Sequence, residues 1–281
     1  MANEKMNGVA RLIEVTAVED RRVDDFRDLS TADRRPDRPG GRGLVIAEGV
    51  VVVRRMLASP YPVRALLGVR RRIEELADEI VDLDVPAYIV DAEVMAGIVG
   101  FHLNRGVLAI ADRAPEVEPA QLTATARRLA VLEGIGDHEN LGSLFRNAAA
   151  LGIDGLLLGS GCSDPLYRRS VRVSMGHVLR VPFARMHSWP ADLKLLSDGG
   201  FRIAALSPQP SAVPLHAAEL HQGPVALLLG SEGPGLTEQA FAAADVTVRI
   251  PMADGVDSLN VATSAAIAFH AIGEGAVGGG R

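Results

Sequence analysis

The chain has 281 residues, enough for one large domain or two of ordinary size. Its 48% hydrophobic and 23% charged content is ordinary for a globular protein, and no internal repeat or long low-complexity tract interrupts it. A net charge of −6 argues against a protein that coats nucleic acid non-specifically, while leaving RNA binding through local patches open. Aromatic residues make up only 4%, so the core is aliphatic. The single cysteine, Cys162, cannot close an internal disulfide and suits a reducing cytoplasm. No apolar run reaches the roughly 18 residues of a membrane span. The mixed charge of the first residues lacks the apolar core of a secretory signal. A cytoplasmic protein with no membrane partner is expected.

Residues 1–42 are rich in Arg and Asp and read as a poorly packed extension. Leu44–Gly49 then reads as a strand closing in a turn, and Val50–Ala58 as a helix stopped near Pro60 and Pro62. Val63–Leu67 is a second strand. The spacing of Ile73, Leu76, Ala77 and Ile80 predicts a helix over 71–81. A strand at Ala87–Val90, a short helix at Ala92–Val99 and a strand at Gly106–Ala111 complete a small α/β pattern. The two prolines and acidic residues of Arg113–Pro119 read as a linker, with a boundary near residue 120.

The second half repeats the rhythm. Leu129–Glu133 is a strand, and Leu144, Ala148 and Leu151 place one stripe on a helix over 140–151. Gly155–Gly159, Arg202–Leu206 and Val225–Gly230 are continuous apolar runs, as in parallel strands buried on both faces. Val246–Ile250 alternates as a strand, and Ala262–Ile272 reads as a buried helix. Gly278–Gly280 is expected to be a frayed tail.

Three segments at strand ends carry polar groups. In Asp137–Ala148, Asn140 reads as the helix N-cap and Gly142 permits close backbone approach. Arg146 lies in an otherwise apolar helix, where a buried charge needs a partner. It either pairs with a carboxylate of a neighbouring strand or faces a ligand. Leu229–Leu236 has three glycines in the six residues 230–235, and is either a plain turn or a backbone cradle. It has neither the Walker ending nor the dinucleotide spacing. Ile250–Thr263 joins a strand to a helix, the place where open α/β sheets hold ligands. There Ser258 and Asn260 either cap the helix or touch a ligand. The seven histidines show no metal-ligand spacing and read as scattered structural or surface residues, so no metal is expected. No Gly-x-Ser-x-Gly elbow is evident. Arginines cluster at 34, 35, 38 and 42, at 70–72, and at 168, 169 and 172; any one cluster is either a solvated face or a phosphate contact.

In this order, Asn-x-Gly-x-x-x-Arg-x-Ala (140–148), Gly-x-Glu-x-x-Gly (230–235) and Ile-Pro-Met…Ser-Leu-Asn-Val (250–261) resemble the three motifs of the SpoU, or TrmH-like, RNA 2′-O-ribose methyltransferases of the SPOUT superfamily. Arg168–Pro182 also resembles the family's stretch between its first two motifs. Residues 44–113, with Glu48-Gly49 and Gly106–Ala109, are similar to its small N-terminal RNA-binding domain of the ribosomal L30 type.

The resemblance implies an α/β fold: a C-terminal SPOUT domain with a mostly parallel sheet and a deep trefoil knot, plus a small L30-like domain. General topology rules argue against knots, so only the resemblance carries that expectation. It divides the chain into an extension at 1–42, the L30-like domain at 43–114, a linker at 115–125 and the catalytic domain at 126–281. It implies an obligate homodimer in which both chains contribute to one site. Carried over by position, Leu206, Gly230, Ile250 and Leu259 bind S-adenosyl-L-methionine, mainly through backbone groups. Arg146 is the central catalytic residue, and Asn140, Glu232, Ser258 and Asn260 shape the site. Ser231 and Ala262 depart from the family, which often has Asn and Ser there.

A ribose 2′-hydroxyl must lose its proton as it attacks the methyl carbon. An arginine is always charged and is a poor base, so Arg146 is expected to contact the hydroxyl and the adjacent phosphate, and either to stabilise the forming alkoxide or to help the phosphate accept the proton. The implied partner is RNA, with ribosomal RNA ahead of transfer RNA because of the extra domain. The alternatives are a non-catalytic RNA-binding protein with a residual pocket, a methyltransferase acting on bases or small molecules, and an oxidoreductase, which would need a Gly-x-Gly-x-x-Gly turn that is absent.

Overall fold

The apolar runs of the sequence become strands of two separate sheets in a computed structural model that describes residues 11–27, 29 and 43–277. One unit is built from residues up to 114 together with 166–180, the other from 115–165 and from 181 onward.

The first unit contains β1 (Arg11–Glu14), β2 (Val45–Glu48), α1 (Val50–Leu57), β3 (Val63–Gly68), α2 (Arg70–Glu74), α3 (Ala77–Ile80), β4 (Pro86–Ile89), α4 (Ala92–Val99) and β5 (Val107–Ala111). Its sheet runs β1-β4-β3-β5-β2, with β1, β4 and β3 mutually parallel and β5 antiparallel to both neighbours. Phe26, Ile46, Leu67, Met95, Ile98 and Leu108 form its core.

Two expectations change here. Residues 11–27 and 29 are not a loose extension. β1 extends the sheet, and Val15, Val23, Phe26 and Leu29 are buried between their charged neighbours. The arginines at 34, 35, 38 and 42 and the tail at 278–280 lie outside the described residues. The helix expected over 71–81 breaks into α2 and α3 at fully buried Leu76, whose φ of −110° and ψ of 8° leave the helical region.

Residues 166–180 pack within this unit. Gly176 has a φ of +82°, and a Cβ there would stand 3.1 Å from Val52. Arg55 donates a hydrogen bond to the Met175 carbonyl.

The second unit follows with α5 (Pro119–Thr125), β6 (Arg128–Leu132), α6 (His138–Leu151) and β7 (Gly155–Leu158). The helix α7 (Arg168–Val173) belongs with the first unit, and the chain returns through β8 (Phe183–Arg185), α8 (Lys194–Asp198), β9 (Arg202–Leu206), β10 (Val213–Pro214), β11 (Val225–Leu229), α9 (Glu238–Ala242), β12 (Val246–Arg249) and α10 (Val261–Val277). The stretch expected to be a plain linker holds α5, which starts with Pro119 at a position where a missing N–H costs nothing.

All seven strands are parallel, in the order β10-β12-β9-β11-β6-β7-β8. This explains their continuous apolar runs. Leu129, Val131, Leu157, Ile203 and Leu228 meet Leu122, Leu196 and Ala240 of the surrounding helices. α6 and α10 pack closely. Asn147 Nδ2 donates to the Ala262 carbonyl at 2.8 Å, and a Cβ at Gly273 would stand 3.1 Å from the Leu151 carbonyl.

Neighbouring strands β12, β9 and β11 end at the same edge of the sheet. The segments that follow them, beginning at Ser207, Gly230 and Ile250, are therefore brought together.

Candidate active site

A cavity of about 760 Å³ opens at the carboxyl ends of β9, β11 and β12. Its size is within the usual range of small-molecule sites. Leu206, Gly230, Ile250 and Leu259, the residues expected to hold a cofactor, all line it, and so do Glu232, Ser258 and Asn260. Leu229, Met252 and Val261, which lie in the candidate segments without an assigned role, line it as well, and so does Ser207, which lies outside them. The rule that ligands sit beyond parallel strand ends could have found Ser207 and Leu229, the first residue after β9 and the last of β11.

The turn after β11 is fixed by contact rather than by conformational freedom at its first glycine. A Cβ on Gly230 would lie 2.3 Å from the Gly235 carbonyl carbon and 2.4 Å from the Leu236 nitrogen, so the backbone crosses itself where only glycine fits. Gly233 and Gly235 have positive φ, +87° and +73°, which let the turn close. The Gly235 N–H bonds the Ser231 carbonyl at 3.1 Å.

Three side chains from the three motifs meet. Asn260 Nδ2 donates to Asn140 Oδ1 at 2.8 Å and to Glu232 Oε1 at 2.7 Å. Asn140 Nδ2 donates to the same Glu232 oxygen at 3.3 Å. Glu232 is exposed and Asn140 only half-buried, so the cluster faces solvent at the cavity rim. Asn260 also accepts from the Ala262 and Thr263 N–H groups at 2.9 and 3.2 Å. It is thus both the cap of α10 and a member of the cluster. Ser258 lines the cavity but has no part in that cap.

Asn140 is not the N-cap of α6. Asp137, three residues earlier, accepts from the Glu139 and Asn140 N–H groups at 2.9 and 2.8 Å. That leaves the Asn140 side chain free for Glu232 and Asn260. Arg146 also departs from expectation. Leu141, Leu144, Phe145 and Ala148 turn inward, and Arg146 projects from the opposite, exposed face. No hydrogen bond or ion pair holds it among the described residues, and it does not line the cavity. The premise of a buried charge therefore fails, and the pairing with a neighbouring carboxylate does not occur.

Elsewhere the arginine clusters differ in availability. Arg70 pairs with Glu14, and Arg71 and Arg72 both reach Glu75, which the Arg72 guanidinium holds below the usual carboxylate range. Arg168 stacks over Phe101 at 4.7 Å and stands 3.9 Å from the buried Glu48, and burial pushes its guanidinium below its ordinary value. Burial also raises the Cys162 thiol, which keeps it protonated and a poor nucleophile. Among the described residues no cluster of His, Cys, Asp or Glu could hold a metal ion, and no helix is long and apolar enough to cross a membrane.

The SpoU rRNA Methylase family model matches residues 127–270, the stretch that holds all three loops of the cavity. An uncharacterized tRNA/rRNA methyltransferase of Mycobacterium tuberculosis is 57% identical over 254 residues, covering 90% of this chain and 88% of that protein. The chain belongs to the SpoU family. The 23S rRNA (guanosine(2553)-2′-O)-methyltransferase RlmP of Bacillus subtilis is 24% identical over 92% of this chain and 98% of its own length. A solved rRNA methyltransferase from Sinorhizobium meliloti, with AdoMet bound, superposes with a TM-score of 0.78 at 25% identity, over 93% of this chain and 97% of that one.

The departures at Ser231 and Ala262 leave this geometry intact. Ala262 acts through its backbone alone, as donor to Asn260 and acceptor from Asn147. Ser231 lines the cavity and lies against Gly134, where a Cβ would be 3.1 Å from its own.

Proposed function

We propose that this protein is an S-adenosyl-L-methionine-dependent RNA methyltransferase that modifies a ribose 2′-hydroxyl, with ribosomal RNA as substrate. The observation that carries the reading is the convergence of Asn140, Glu232 and Asn260, one residue from each motif, at the rim of a cavity lined by the expected cofactor residues. The extended likeness to RlmP supports the 2′-hydroxyl and ribosomal RNA. The AdoMet-bound relative supports the cofactor.

The cavity suits that cofactor. Leu206, Leu229, Ile250 and Leu259 offer apolar walls to an adenine ring, and Gly230, Gly233 and Gly235 offer backbone groups that no side chain of their own covers. When bound, S-adenosylmethionine supplies an electrophilic methyl group on a sulfonium. Glu232, held by the two asparagines, and Asp257 are the carboxylates that line the cavity and would face that positive charge.

Arg146 is assigned to the ribose hydroxyl and the adjacent phosphate. Its charge offsets the alkoxide that forms as the 2′-hydroxyl proton passes to the adjacent phosphate. Because it is exposed, unpaired and outside the cavity lining, we assign it to a cavity in a second copy of the chain, which makes the active form a homodimer. The knotted C-terminal topology, the L30-like nature of the first unit and its role in RNA binding belong to the same proposal. Replacing Arg146 with Ala is expected to abolish methyl transfer while S-adenosylmethionine still binds in calorimetry. Near wild-type turnover in that variant would remove Arg146 from the mechanism.

A further inference from the structure

Glu133 follows the last residue of β6 and is only 4% exposed. A buried carboxylate survives only if its lone pairs are filled. Here they are filled by groups that bear on the cavity loop. Thr237, the residue directly after the Gly230–Leu236 turn, donates its N–H to Oε2 and its hydroxyl to Oε1, both at 2.9 Å. Trp189 Nε1 donates to Oε1. The Glu133 N–H bonds the carbonyl of Leu229, the residue directly before the turn, at 2.9 Å. One residue therefore grips both ends of the loop whose middle lines the cavity. Its own support is rigid, because the Trp189 ring lies so close over Gly159 that a Cβ there would stand 2.5 Å away.

We infer that Glu133 is a positioning residue for the cofactor. It touches neither ligand nor reacting atoms, and acts by fixing where the Gly230–Leu236 backbone presents its groups to the cavity. The inference rests on the cofactor reading of that cavity. Without the carboxylate, the Thr237 N–H and the hydroxyl's donor hydrogen lose their acceptor, though the hydroxyl oxygen still caps α9 at the Ala240 N–H, and the C-terminal end of the turn loses its stop. The Leu229 end stays fixed, because that bond comes from the Glu133 backbone.

The test is calorimetry of S-adenosylmethionine binding to the full chain and to Glu133→Ala, Glu133→Gln, Thr237→Val and the Glu133→Ala/Thr237→Val double variant. Loss of charge-assisted buried hydrogen bonds predicts a Kd raised about tenfold or more in Glu133→Ala. Glu133→Gln keeps an acceptor oxygen for Thr237 and is expected to fall between Glu133→Ala and wild type. Thr237→Val removes the hydroxyl bond to Glu133, together with the α9 cap at Ala240 that a thermal melt reads separately, and is expected to weaken binding a few-fold. Because both variants act through one contact, the double variant is expected within about twofold of Glu133→Ala alone. Independent structural damage would instead multiply the two effects. A wild-type Kd in a folded Glu133→Ala overturns the inference, as does a fully multiplicative double variant. Should Glu133→Ala fail to fold, a wild-type Kd in Thr237→Val overturns it equally. A wild-type chain that binds no S-adenosylmethionine overturns the cofactor reading itself, a result that no comparison among variants would produce.

Discussion

Gly230→Ala tests the geometry of the cavity most sharply. The added Cβ would sit 2.3 Å from the Gly235 carbonyl carbon, 2.4 Å from the Leu236 nitrogen and 2.7 Å from the Gly235 oxygen. All three are backbone atoms, so no side chain can swing aside. Ordinary contact begins near 3.4 Å, and the turn must therefore retreat by about 1.1 Å. Overpacking of this kind costs about 1–3 kcal/mol. For a domain of roughly 150–250 residues each kcal/mol lowers the Tm by about 2–4 °C. The Tm is thus expected to fall by about 2–12 °C, with the fold retained. The functional loss is larger, because a misplacement of about 1 Å in a positioned site costs on the order of 10²-fold in rate. S-adenosylmethionine affinity is expected to fall about tenfold or more, equivalent to about 1.4 kcal/mol. Calorimetry and a thermal melt measure both quantities. Gly136→Ala is the control, since its nearest obstacle is the Gly161 carbonyl at 4.0 Å and it is expected to bind as wild type. If Gly230→Ala bound S-adenosylmethionine with the wild-type Kd and melted at the wild-type temperature, the crossing of the backbone would not be what shapes the cavity.

Asn260 allows its two roles to be separated. Asn260→Ala loses the α10 cap, worth about 1 kcal/mol, together with the bonds to Asn140 and Glu232. Asn260→Asp keeps the capping oxygen but sets a carboxylate against Glu232, so it should melt above Asn260→Ala and still lose methyl transfer; wild-type turnover in Asn260→Asp would contradict the role of the cluster. In the first unit, the Arg22 side chain and backbone N–H bonds hold the Asp20 carboxyl at about 2, below its ordinary 3.8. The folded value is the lower one, so the Asp20–Arg22 contact contributes fully above the ordinary value and is lost as pH falls from there towards 2. An NMR titration is expected to find the Asp20 midpoint near 2, and a midpoint at the ordinary value would show that the contact does not hold in solution.

The strands of the second unit were legible because parallel strands buried on both faces leave unbroken apolar runs, as in Leu129–Leu132 and Val225–Leu229. That Leu206, Gly230, Ile250 and Leu259 share one cavity was legible only through the motif resemblance. Spacing alone left the Gly230–Gly235 turn and the 250–263 loop ambiguous. β1 and the packed residues around Phe26 were hidden by their charged surroundings, since isolated apolar residues carry no period. α7 was hidden likewise, its apolar Val171 lying among arginines at 168, 169 and 172. Asn140 was misread as a cap because Asn and Asp both suit that position, and the choice between 137 and 140 depends on where the turn begins. Arg146 was misplaced for a simpler reason. Leu141, Leu144, Phe145 and Ala148 already define the buried stripe, and a helical projection puts residue 146 opposite them. Only the resemblance put Asn140, Glu232 and Asn260 at one site; their contact depends on β12, β9, β11 and β6 lying side by side, an order no local pattern encodes.

The most direct measurement is to incubate the protein with methyl-labelled S-adenosylmethionine and total RNA, and then to hydrolyse the RNA with alkali. A methylated 2′-hydroxyl blocks cleavage at its own linkage, so the account predicts label in an alkali-resistant dinucleotide derived from ribosomal RNA. Label on a base, or no label in any RNA, would contradict it.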